Sequence, residues 1–122
     1  MSSQEQQATF WLEYSQQLSN TIRYTEALAA AEKAVALAPE NPEAWYVRGT
    51  CLAMLARYQD ALADFEHALA LREPYAAAWD AKAWVLGILG HKEDALLAVN
   101  RALEIDPDYF EAQRRRSRLE AL

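Results

Sequence analysis

Residues 42–75 read PEAWYVRGTCLAMLARYQDALADFEHALALREPY. Trp45, Arg48, Gly49 and Leu52 return every three or four residues, and so do Tyr58, Ala61, Leu62, Phe65, Ala68, Leu69 and Leu71. That period is helical, and the break between the two series makes a pair of helices. Asn41 followed by Pro42 supplies a side-chain cap and a first-turn residue that has no N–H to leave unpaired. The stretch recurs on both sides. Trp45 lies 34 residues after Trp11 and 34 before Trp79. The same step relates Leu18, Leu52 and Leu86, then Ala27, Ala61 and Ala95, then Ala34, Ala68 and Ala102, and finally Leu37, Leu71 and Ile105. No gap is needed, and chance does not hold so many columns in one register.

The units are 8–41, 42–75 and 76–109, preceded by a polar segment 1–7 and followed by a fourth start, 110–122. The pattern predicts helices near 8–21, 24–37, 42–55, 58–72, 76–89, 92–105 and 109–120. Pro39 and Pro107 end the helices before them, and Asp108 with Glu111 has the spacing of a capping box.

Composition agrees. With 3 Gly, 4 Pro and 25 Ala in 122 residues, the chain is poor in turn formers and rich in the best helix former. The fold class expected is all-α. A formal charge of −6 argues against nucleic acid as a partner. One cysteine, Cys51, excludes an intrachain disulfide. With only two well-separated histidines beside it, no zinc site is expected, and no cofactor. No run of apolar residues reaches the length of a membrane span. The polar start lacks the pattern of a secretory signal, so a cytoplasmic protein is expected. Charge is uneven: the body is acidic, whereas residues 110–122 carry Arg114, Arg115, Arg116 and Arg118 against Glu111 and Glu120.

The period, the Trp, Gly, Ala, Phe and Ala of the middle unit (Trp45, Gly49, Ala61, Phe65, Ala68) and the repeated alanines resemble the tetratricopeptide repeat family. The resemblance covers 8–109, and the last 13 residues look like the solvating helix that follows a final repeat. It departs in places. Arg48 and Lys82 replace Leu, Ala31 and Val99 replace the aromatic, and the turn glycine is present only as Gly90, with Ile22 and Ala56 in the other copies. The resemblance implies a right-handed superhelical solenoid of three helix-turn-helix repeats with a C-terminal capping helix. It also implies a concave face lined by the first helix of each repeat.

No catalytic constellation is evident, so an enzyme is not expected. His67 and His91 read as solvated residues, and Cys51 as a small core residue. Asp60/Asp64 and Glu93/Asp94 read as solvated helix faces. The groove face offers Leu12 and Gln16 in the first unit and Tyr46, Val47, Thr50 and Met54 in the second. Asp80, Trp84 and Ile88 follow in the third, and Arg114, Arg115 and Arg118 in the tail. Trp84 stands outside the repeated Trp column. It reads either as a binding hot spot or as a cover for the junction with the tail helix. The arginines read either as ligand contacts or as a solubilising helix end.

The function expected is a non-catalytic protein–protein interaction module that binds a peptide or helix, acidic and with an apolar anchor. The second reading is a self-associating scaffold whose groove or ends are covered by another copy, because Phe10 and Tyr14 in the first unit lack a preceding cap. In the family, such domains also clamp the C-terminal carboxylate of chaperone peptides with Lys, Arg and Asn. The matching slots here hold Leu12, Gln16, Val47, Ala77 and Ala81, which argues against that use.

Overall fold

A computed structural model describes residues 2–122, and all regular structure in them is helical. The helices are α1 (Ser3–Asn20), α2 (Tyr24–Leu37), α3 (Pro42–Met54), α4 (Tyr58–Leu71), α5 (Ala76–Ile88), α6 (Lys92–Ile105) and α7 (Phe110–Glu120). The chain divides into two units, one ending at Leu71 and one spanning Arg72–Leu122. In the first, α1 pairs with α2 and α3 with α4, and α3 also packs on α1 and α2. In the second, α5 pairs with α6, and α7 packs on both.

Two starts differ from the sequence pattern. The first helix begins at Ser3 rather than near residue 8, because Ser2 caps it: the Ser2 hydroxyl accepts the Glu5 N–H at 3.1 Å. The last helix begins at Phe110 without a side-chain cap. The capping box expected from Asp108 does not form. The Asp108 N–H instead donates to the Asp106 carboxylate at 3.2 Å, which folds the segment into a turn around Pro107. The cap at Asn41 is as the sequence indicates, with its side-chain oxygen accepting the Glu43 N–H at 3.0 Å.

Close approach within each hairpin rests on the small columns. Ala27, Ala34, Ala61, Ala68, Ala95 and Ala102 are fully buried. A second column trades volume across the hairpin. A Cβ on Gly49 would stand 2.7 Å from the Phe65 ring, so glycine is what lets that aromatic fit between α3 and α4. In the same register the first repeat pairs Ser15 with Ala31 and the third pairs Ala83 with Val99, all four fully buried. Ser15 satisfies its hydroxyl by donating to the Ala27 carbonyl at 2.7 Å. The 34-residue Trp column predicts a tryptophan buried between the paired helices of each repeat, whereas the structure leaves Trp11, Trp45 and Trp79 half-buried. The indole N–H needs an acceptor, and in α3 and α5 it reaches one at the rim of the hairpin. Trp45 donates to the Pro39 carbonyl at 2.7 Å and Trp79 to the Glu73 carbonyl at 2.8 Å, which fastens the loop before each helix.

The three hairpin turns share one geometry. After α1, α3 and α5 the chain enters the left-handed region at Ile22 (φ 61°), Ala56 (φ 62°) and Gly90 (φ 84°). The following N–H groups of Arg23, Arg57 and His91 reach back to the Leu18, Leu52 and Leu86 carbonyls at 2.8–2.9 Å, closing a Schellman motif each time. Only Gly90 adopts this backbone freely. Ile22 is β-branched and exposed, so it carries the strain with no packing in return. Ile22→Gly and Ala56→Gly should each stabilise the protein by about 1 kcal/mol. Urea denaturation should show higher midpoints at constant slope, and a lower midpoint for either variant contradicts the strain.

Candidate functional site

The twelve residues singled out from the sequence separate by environment. In the first unit, Leu12 and Val47 are buried at 5% and 4% exposure and belong to the core. Gln16 and Met54 are exposed. Thr50 is half-buried and donates its hydroxyl to the Tyr46 carbonyl one turn back, at 3.0 Å. The Tyr46 ring lies 6.0 Å from that of Phe65.

In the second unit, Asp80 is buried and paired with Arg115, Nε to Oδ1 at 2.8 Å and Nη2 to Oδ2 at 3.2 Å. This two-bond pair fastens α7 to α5, so Arg115 positions the tail helix and does not stand open to a ligand. Arg114 is exposed and lies 5.6 Å over the Phe110 ring, and Arg118 is exposed. Trp84 is half-buried and Ile88 exposed. Between α5 and α7 these residues frame a cleft of about 250 Å³, lined by Ala83, Trp84, Gly87, Ile88, Arg115, Arg118, Leu119 and Leu122. Gly87 keeps the two helices close, since a Cβ there would meet the Leu119 side chain at 3.2 Å. The floor is apolar, one wall ends in a free-standing guanidinium, and Trp84 supplies a large flat face. Such a cleft can take an apolar side chain with an anionic group beside it.

A second cleft, of about 310 Å³, lies among α2, α3 and α4. Both of its arginines are already engaged by carboxylates of the same cleft, which is also lined by Glu32. Arg48 bonds both Asp64 oxygens at 2.8 Å, and Arg57 bonds Asp60 at 2.9 Å. The sequence pattern had Asp64 on a solvated face. It is instead buried, because Arg48 turns inward beside the Trp45 ring, 4.7 Å away, and neutralises it. The Asp64 hydrogen bonds raise the Arg48 pKa above its ordinary value, against the opposing effect of burial. In the second unit Arg101 holds both Glu73 oxygens at 2.7 Å and keeps that carboxyl below its usual range.

His67 is exposed and stacks on Trp45 with ring centres 3.8 Å apart. Cys51 is buried, its sulfur 3.6 Å from the Ser15 hydroxyl. Among the described residues no group of three or more His, Cys, Asp and Glu could hold a metal ion. No helix there is long and apolar enough to cross a membrane.

The sequence shows nothing of the two buried ion pairs unless the repeat is read for its exceptions. Only the middle unit has both an Arg in the Leu slot and an acid at 64, where the other copies have Ala30 and Ala98.

No curated protein matches the chain. Among solved structures, the first TPR of Spaghetti (RPAP3) bound to the HSP90 peptide SRMEEVD superposes with a TM-score of 0.91 at 25% identity, over 96% of this chain and 93% of that one. The Arabidopsis OM64 TPR domain gives 0.93 at 17% identity, over 98% of each chain. The second TPR domain of human RPAP3, in complex with the HSP70 peptide SGPTIEEVD, gives 0.89 at 18% identity, over 97% and 98%. These likenesses show the fold class to be the helical solenoid of TPR domains, with three hairpins and a C-terminal helix. The tetratricopeptide repeat family itself matches residues 23–76 and again 76–109. With the 34-residue register, the hairpins and these matches in agreement, the chain belongs to the tetratricopeptide repeat family.

Proposed function

We propose that this chain is a non-catalytic protein-interaction module that binds an acidic peptide carrying an apolar anchor, and that the cleft between α5 and α7 receives the anchor. The observation that carries the reading is the juxtaposition of Trp84 and Ile88 with Arg118 in a cleft of about 250 Å³. Family membership supports it, and so does the acidic peptide SRMEEVD held by the Spaghetti domain. Burial of the anchor supplies most of the affinity, and Arg118, with the exposed Arg114 one turn before it, orients the acidic group. Gln16, Tyr46, Thr50 and Met54 form a further candidate contact face within the first unit. The repeat boundaries 8–41, 42–75 and 76–109, with 110–122 as a capping helix, are the functional division we adopt. In this reading the protein works in the cytoplasm, where the lone thiol of Cys51 stays reduced. A carboxylate clamp is not the mode proposed, because Leu12, Gln16, Val47, Ala77 and Ala81 offer no cation at its slots.

The test is an array of peptides that moves one Trp, Leu or Met stepwise past an Asp-Glu pair, with SRMEEVD and its C-terminal amide as references. The protein should select one anchor spacing and bind acid and amide forms alike. Trp84→Ala should weaken the selected peptide about 30-fold at every salt concentration, as for a desolvated hot spot. Arg114→Ala with Arg118→Ala should weaken it chiefly at low salt, where screening is least. Unchanged binding by both variants removes this cleft from consideration.

A further inference from the structure

We infer that the outward face of α1, with the neighbouring face of α2, is a contact between two copies of this chain, related by a two-fold axis. Position 10 corresponds to Ala44 and Ala78, both fully buried. For Ala44 the elements at hand are α1 and α2, on which α3 packs. In α1 the same slot holds Phe10, 57% exposed, with Tyr14 one turn on, 42% exposed. The residues before Ala8 do not cover this face, because from Ser3 onward they extend α1 itself. The slot that buries a methyl group in α3 therefore presents a stacked aromatic pair to solvent in α1, with ring centres 6.1 Å apart. Trp11 meets the Phe10 ring edge-on at 5.1 Å.

Charge says what covers it. Along α1, Ser3, Gln6, Phe10, Tyr14 and Gln17 fall on one stripe that runs on to the C-cap Thr21, and all are exposed and uncharged. A quarter of the chain's residues are charged and its net charge is −6, so two copies repel each other overall. This stripe does not. Apposed to itself across a two-fold axis, it brings Phe10 and Tyr14 of one copy against those of the other and sets no like charges in opposition. Glu13 stays to one side of the stripe. On the other side α2 adds the exposed Ala29 and Ala36, small enough for close approach. Lys33 between them lies 4.2 Å over the Trp11 ring. The area is sufficient for a weak dimer. Eighteen residues of α1 make a helix about 27 Å long, and a layer two helices wide offers about 500 Å² per copy. Two such faces bury about 1,000 Å², the lower bound for a specific interface.

Sedimentation equilibrium of the full chain, from about 5 to 500 µM, tests the inference. Wild type should pass from monomer to dimer and stop there, since a two-fold contact closes on itself. Phe10→Glu with Tyr14→Glu should raise the dimer dissociation constant at least about 30-fold. Phe10→Ser with Tyr14→Ser should do the same without added charge. Both positions are exposed, and unchanged helical circular dichroism verifies folding. Wild type that stays monomeric, or a dimer that survives both double variants, overturns the inference. So does growth beyond a dimer that Phe110→Glu abolishes, because that result identifies a head-to-tail contact through the basic tail helix. None of these readings depends on Trp84 or on peptide binding.

Discussion

Arg48→Ala should destabilise the protein by about 3 kcal/mol, because it leaves the Asp64 carboxylate buried without its partner. Asp64 is 4% exposed, and both its oxygens are bonded by the one guanidinium. The cost therefore comes mostly from the uncompensated charge, with a smaller part from the lost stacking over Trp45. In a chain of this size such a loss lowers Tm by about 10 °C. The repeat itself indicates the repair. The equivalents of Asp64 are Ala30 and Ala98, and the family slot for Arg48 is Leu. Arg48→Leu with Asp64→Ala should recover most of the stability, since removing both charges removes the desolvation penalty as well. A single variant as stable as wild type contradicts this account of the pair.

The second large effect is at Phe65, the largest fully buried side chain. Phe65→Ala should cost about 4 kcal/mol through lost burial and the cavity left between α3 and α4. Gly49→Ala alone should cost about 2 kcal/mol by overpacking, with its new methyl group 2.7 Å from the ring unless the ring moves. Combining Gly49→Ala with Phe65→Val reproduces the Ala83 and Val99 pairing of the third repeat. The combination should cost clearly less than its two single changes added together. Additive losses in chemical denaturation contradict the exchange of volume between these columns.

The same comparison shows what a single chain reveals. The columns at 34-residue spacing placed six of seven helices to within a residue or so, because every column reports the same packing three times. The misplaced helix starts fell where the repeat gives no second copy. The early start of α1 depends on Ser2 and Glu5, a capping-box pair that lies before the first repeat and was legible as such. The opposite error, at Asp108, arose because a second local bond, from the Asp108 N–H to Asp106, competes for the segment. Burial of Leu12, Val47 and Asp80 was hidden for a related reason. A helix carries its core on a stripe wide enough to include positions that a strict groove assignment leaves to the ligand. The Asp80–Arg115 pair spans 35 residues and has no equivalent in the other copies, since the residues in the Asp80 slot are Leu12 and Tyr46. By contrast, Trp84 stood out in the sequence because it breaks its column, where Gln16 and Thr50 occupy the same slot. Exceptions to the repeat thus carried the candidate site, while the repeat carried the fold.

The most direct test of the proposed function is a heteronuclear NMR titration of the whole chain with the best peptide from the array. Backbone amides of residues 83–88 and 114–122, together with the Trp84 indole N–H, should shift progressively to saturation while Trp11, Trp45 and Trp79 hold their positions. Shifts confined to α4 or to the exposed stripe of α1, with the Trp84 indole unmoved at saturation, would contradict that function.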